Sequence, residues 1–85
     1  MKHAKIKLLF FIQIVMNYNF LYTKLGNHIE RLRKEKGLTQ EELAEKAGLH
    51  RAYFWDIESG RNISVKTAYK IAQALGVKLS RFFDF

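Results

Sequence analysis

Arg51, Ala52, Trp55 and Asp56 fall at i, i+1, i+4 and i+5, a spacing that places all four on one side of a helix. Side chains of these types suit recognition of base edges. A guanidinium can bond O6 and N7 of one guanine together, a carboxylate can accept from a cytosine amine, and an alanine methyl or an indole can meet a thymine methyl. Each residue also has a plainer reading. Arg51 could anchor a phosphate or stand in solvent, because many DNA-binding arginines only position the protein. Trp55 could fold over a neighbouring helix and complete a core, and Asp56 could pair with Arg61. Gln40, Tyr53, Arg61, Asn62 and Ser64 carry amide, phenol, guanidinium and hydroxyl groups that suit hydrogen bonds to phosphate oxygens. Here too alternatives stand: Gln40 as an ordinary first-turn residue, Tyr53 as a half-buried core ring, Asn62 as the holder of its own turn.

Bond-making chemistry finds no foothold. No nucleophile–base pair, phosphate loop or pair of carboxylates in an apolar setting is visible, so an enzyme is not expected. His3, His28 and His50 are far apart and cysteine is absent, which leaves no metal-ligating cluster, no disulfide and no implied cofactor.

The elements that must position these residues are legible in the chain. Thr39 followed by Glu42 forms a capping box that opens a helix. Leu43, Ala44 and Ala47 give that helix an inward stripe, and Gly48 supplies the left-handed residue that stops it. Leu49, Phe54 and Ile57 are the apolar contacts of the next helix, near Arg51 to Ser59, which His50 begins. Ala44 is small where the two helices cross. The unit is a helix-turn-helix, a device that sets its second helix in the DNA major groove. A preceding helix is expected from about Gly26 to Lys36, with Ile29 and Leu32 inward and Gly37 as its stop. Its run Arg31, Arg33, Lys34, Lys36 could lie near the duplex, but a charge run on a helix is usually a solvated face. After the loop Gly60 to Ile63, Ser64 caps a fourth helix with Val65, Ala68, Ile71, Ala72 and Leu75 inward and Gly76 at its end. Ser80 is placed to cap a last turn carrying Phe82 and Phe83.

The joint pattern resembles the Cro and lambda-repressor family of bacterial and phage DNA-binding domains. Gln40, Leu43, Ala44, Gly48, Leu49, Phe54 and Ile57 stand at that family's motif spacing. Ile29 to Gly37, Asn62 to Val65 and Lys70 to Val77 are similar to its first helix, loop and fourth helix. Within the family, LHRAYFWDIESGRNIS most resembles the controllers of restriction–modification systems. The resemblance implies that the N-terminal residues of the third helix enter the major groove. It also implies that Gln40 bonds a phosphate and that Arg61, Asn62 and Ser64 skim the backbone. The family commonly carries one more residue between glycine and asparagine than the ESGRN found here.

Composition agrees with a polyanionic partner. The 85 residues carry a net charge of +7, and the segment from Lys24 onward, with 12 Lys/Arg against 8 Asp/Glu, is only mildly basic. A chain of this size has a marginal core, for which dimerisation is a common remedy. Residues 1–24 form an apolar, aromatic leader distinct from the domain expected at 25–85. Its run Leu8 to Ile12 resembles a signal-peptide core without a cleavage site after it. The 16 uncharged residues from Leu8 to Thr23 are short for a membrane span. The leader is either a segment packing on the domain or a partner subunit, or an upstream stretch before a start at Met16.

The sequence therefore predicts an all-α, five-helix, lambda-repressor-like domain with an apolar N-terminal extension. Its expected role is that of a cytoplasmic transcriptional regulator binding double-stranded DNA as a homodimer on an inverted repeat. Leu79, Phe82, Phe83 and Phe85 are the expected dimer contact, with closure of the monomer core by Leu79 and Phe82 as the other reading. An antitoxin-like module binding a protein partner and a membrane-tethered regulator are the alternatives.

Overall fold

The computed structural model describes residues 18–85, with side chains from residue 19 onward. The leader's run Leu8 to Ile12 and the candidate start Met16 lie outside the described residues. Among the described residues the chain is all helical: α1 (Tyr18–Glu35), α2 (Gln40–Ala47), α3 (Arg51–Glu58), α4 (Val65–Leu75) and α5 (Leu79–Phe82).

Each boundary has a local cause. At the start of α2 the Thr39 amide donates to Glu42 Oε1 at 2.9 Å, and the Glu42 amide donates to Thr39 Oγ1 at 3.0 Å. Both arms of the capping box are thus made, and two orphan amides of the first turn are satisfied. Gly48 ends α2 at φ +69°, and a β-carbon there would meet nothing within 4 Å. The demand for glycine at this bend is therefore conformational, not steric. The Leu49 amide then reaches back to the Ala44 carbonyl at 2.9 Å, which fixes the turn into α3. Ser64 caps α4 by accepting from the Thr67 amide at 3.1 Å.

Every helix contributes to one core. Ile29 and Leu32 of α1, Leu43 of α2, Phe54 and Ile57 of α3, Ile71 of α4 and Phe82 of α5 are all fully buried. At about 1.5–3 kcal/mol for each large apolar side chain removed from water, these contacts hold the bundle together. Ala44, 2% exposed, is the small residue between α2 and α3.

Four expectations are corrected. Helix α1 begins at Tyr18 rather than near Gly26, so it runs through the boundary expected after residue 24. Leu25 is buried and Tyr22 packs against the core, which gives the early turns an inward face. Val65 is 77% exposed, because the first residue after the Ser64 cap stands outside the buried stripe of α4. The last turn is preceded by Lys78, not capped by the Ser80 side chain. Finally, Phe82 is fully buried in the core and is unavailable as a dimer contact, whereas Leu79, Phe83 and Phe85 are exposed.

Candidate nucleic-acid interface

Helix α3 is divided lengthwise. Phe54, Ile57 and Glu58 face inward, while Arg51, Ala52, Trp55 and Asp56 are all exposed along its other side. The expected base-reading residues are thus brought together on one accessible surface. His50 precedes the helix without a side-chain cap bond, and the Phe54 amide bonds its carbonyl at 2.9 Å.

Two clusters organise that surface. In the first, the Arg51 guanidinium carbon lies 4.9 Å from the centre of the Trp55 ring, and Arg51 Nη1 forms an ion pair with Glu41 Oε1 at 3.0 Å. Trp55 therefore stays 43% exposed with a cation on its face and does not complete the core. In the second, Arg61 Nη1 donates to Asp56 Oδ2 at 3.3 Å, and the Arg61 guanidinium carbon lies 4.9 Å from the centre of the Tyr53 ring. Asp56 is thus paired with Arg61, and Tyr53 is a half-buried ring at the core's edge that carries Arg61 on its outer face. Asn62 and Ser64 are exposed beyond it. The Ser64 hydroxyl also donates to Thr67 Oγ1 at 3.1 Å, so it is tied into its own cap.

Gln40 sits at the first turn of α2 with its side chain half-buried. Its Nε2 donates to Glu58 Oε1 at 2.8 Å. The same carboxylate receives Arg33, whose Nε donates to Oε2 at 2.7 Å and whose Nη2 donates to Oε1 at 3.2 Å. Arg33 Nη1 completes the set by donating to the Leu38 carbonyl at 2.9 Å. One buried ion pair thus ties α1, α3, the α1–α2 loop and the Gln40 amide together. The sequence reading missed it by placing Arg33 in a solvated charge run. The signal was present: Arg33 follows inward Leu32, and Glu58 follows inward Ile57. Glu41 was also missed as the partner of Arg51.

The Thr39 amide and then the Thr39 hydroxyl hold the Glu42 carboxyl below its ordinary value.

A helix-turn-helix family model matches residues 29–82. The chain belongs to the helix-turn-helix family. This helix-turn-helix protein is 50% identical over 54 residues to the uncharacterized HTH-type transcriptional regulator y4dJ of Sinorhizobium fredii, covering 62% of this chain and 70% of that one. It is 42% identical over 62 residues to the control protein C.BamHI of Bacillus amyloliquefaciens, covering 71% and 76%. Its fold matches the crystal structure of the restriction–modification controller protein C.AhdI of Aeromonas hydrophila at a TM-score of 0.70 and 39% identity, covering 72% of this chain and 94% of that chain. The expected kinship with controllers of restriction–modification systems is thereby met, and the family places the protein among DNA-binding transcriptional regulators. Among the described residues, no helix is long and apolar enough to cross a membrane.

Proposed function

We propose that this chain is a sequence-specific regulator that binds an inverted-repeat operator as a homodimer, in the cytoplasm. The observation that carries the reading is the outer side of α3, where Arg51, Ala52, Trp55 and Asp56 stand exposed while the helix is locked from behind by Phe54, Ile57 and the Arg33–Glu58 pair. A rigid helix presenting a guanidinium and a carboxylate has the equipment for major-groove readout. Arg51 reads guanine, with Ala52 making an apolar contact, Trp55 beside Arg51 on the same face, and Asp56 either accepting from a cytosine or steering Arg61. Gln40 holds a phosphate. Its amide nitrogen has two hydrogens, and Glu58 takes one, which leaves the other for a phosphate oxygen. Tyr53, Arg61, Asn62 and Ser64 line the backbone on the other flank.

Exposed Leu79, Phe83 and Phe85 form the dimer contact, with Phe82 withdrawn into each monomer. Two copies related by a two-fold axis set their α3 helices about 34 Å apart, one turn of DNA. Regulation follows from dimerisation and operator occupancy.

The test is selection from random duplex DNA at near-physiological salt, read by sequencing. An inverted repeat is expected. Arg51→Ala should then relax base preference at one position of each half-site, whereas Gln40→Ala should weaken binding to all sequences alike. A folded protein that enriches nothing would overturn the reading and point to a protein-binding module.

A further inference from the structure

We propose that Trp55 is a positioning residue for Arg51: its indole face presets the guanidinium for guanine, and the ring itself reads no base. The inference rests on the proposal that Arg51 contacts guanine.

Arg51 and Trp55 are four residues apart on α3, the spacing at which helical side chains meet. The guanidinium carbon lies 4.9 Å from the ring centre, and Glu41 Oε1 is ion-paired with Nη1 at 3.0 Å. An exposed arginine on a free stem samples many rotamers, and fixing it at a base edge forfeits that freedom. Reading guanine further demands that the planar fork lie edge-on to O6 and N7. A cation held over the ring answers both needs when the guanidinium lies flat against it, because that arrangement engages only its face and leaves its in-plane N–H donors to the base. The Glu41 pair differs in kind, since its carboxylate holds Nη1 by charge and competes with the base for that nitrogen. Trp55 can therefore stay in place when DNA arrives, while Glu41 must yield at least one donor. The indole also removes water from one face of the cation, which strengthens the bonds that its edge then makes. Trp55 is 43% exposed and outside the core, so its removal should leave the fold intact.

The experiment uses the full chain and a random duplex library, followed by titration of the site the parent protein enriches and of that site with its Arg51-dependent guanine replaced. Trp55→Ala should lower the preference for that guanine by roughly two- to fivefold, the range for a cation–π contact at an exposed site. Preferences at other positions, and affinity for unrelated duplex DNA, should stay unchanged. Trp55→Phe, which keeps an aromatic face, should restore most of the loss. In an Arg51→Ala background Trp55→Ala should cost nothing further. Trp55 is the sole tryptophan, so Arg51→Ala should also shift the emission of the free protein. If Arg51→Ala relaxes guanine preference and Trp55→Ala does not, the positioning role falls and the readout stands. A loss of preference at a different base, or a loss that persists without Arg51, would overturn it in favour of direct contact by the ring. If Arg51→Ala changes no base preference, the readout assignment itself falls and the inference goes with it.

Discussion

Both carboxylate oxygens of Glu58 are engaged by Arg33, at 2.7 Å to Nε and 3.2 Å to Nη2, and the Glu58 side chain is only 3% exposed. Removing one partner leaves an uncompensated charge or fork in the core, which costs about 3–5 kcal/mol. Against a total of about 5–15 kcal/mol that is a large share. Arg33→Met should therefore lower the urea midpoint sharply, with little change in slope. Replacing both, as Arg33→Met with Glu58→Leu, should recover most of the stability. DNA affinity should not recover, because the Gln40 amide has lost the oxygen that aims it. A single variant that shifts stability by less than about 1 kcal/mol would show that the pair does not tie the helices together.

How much of this was legible in the sequence depends on whether a residue acts locally. The Thr39–Glu42 box, the Gly48 bend and the inward positions Leu43, Phe54, Ile57 and Ile71 are set by contacts within a few residues or by helical period, and all were read correctly. Arg33 and Glu58 were not, because a charge run looks solvated until a partner 25 residues away is known to face it. The start of α1 was missed for a related reason. Leu25 and Tyr22 belong to its inward face, but Gly26 looks like a boundary when it is a point of close approach. Phe82 and Phe83 are adjacent and chemically alike, and only the single turn of α5 decides that one is core and the other surface. The contacts of Trp55 were likewise open in sequence, since packing and stacking place the same ring on the same helix.

Gly26 has no room for a side chain. A β-carbon there would lie 2.6 Å from the carbonyl oxygens of both Ile57 and Glu58. These are backbone atoms at the end of α3, so relief requires α1 and α3 to move apart. Gly26→Ala, although it favours an isolated helix, should destabilise the protein by about 1–3 kcal/mol. It should also weaken DNA binding by shifting α3 within the domain. A thermal melt unchanged or raised by the substitution would show that the two helices are not in such contact.

Acid should loosen the start of α2. The hydrogen bond from the Thr39 amide, aided by the Thr39 hydroxyl, lowers the Glu42 carboxyl below its ordinary value of 4.5. A carboxyl depressed by folding contributes stability that is fully present above the unfolded value and is lost as pH falls through the folded one. Glu42→Gln keeps an oxygen for the Thr39 amide but cannot titrate. The stability gap between parent and variant should hold constant near neutral pH and shrink below about pH 4.5. Melting curves that stay equally spaced down to about pH 3 would contradict the assignment.

The proposed dimerisation can be separated from folding at Val65 and Phe83. Phe83 and Phe85 of the proposed contact line one apolar groove with Leu21 and Val65, and among the described residues Val65 is the most exposed large apolar side chain at 77%. A two-fold contact brings each such patch against its own copy, so one substitution alters the interface twice. Val65→Glu places an acid in the first turn of α4, where the helix dipole tolerates it, so the monomer should melt within about 0.5 kcal/mol of the parent. Two carboxylates would then face an apolar contact in the dimer. Sedimentation should show a shift from dimer to monomer, and operator binding should lose its steep dependence on protein concentration. Phe82→Ala serves as the contrast, since emptying that buried site should cost about 3–5 kcal/mol and unfold the chain before it tests the interface. A Val65→Glu protein that sediments as the parent does would move the dimer contact away from this groove.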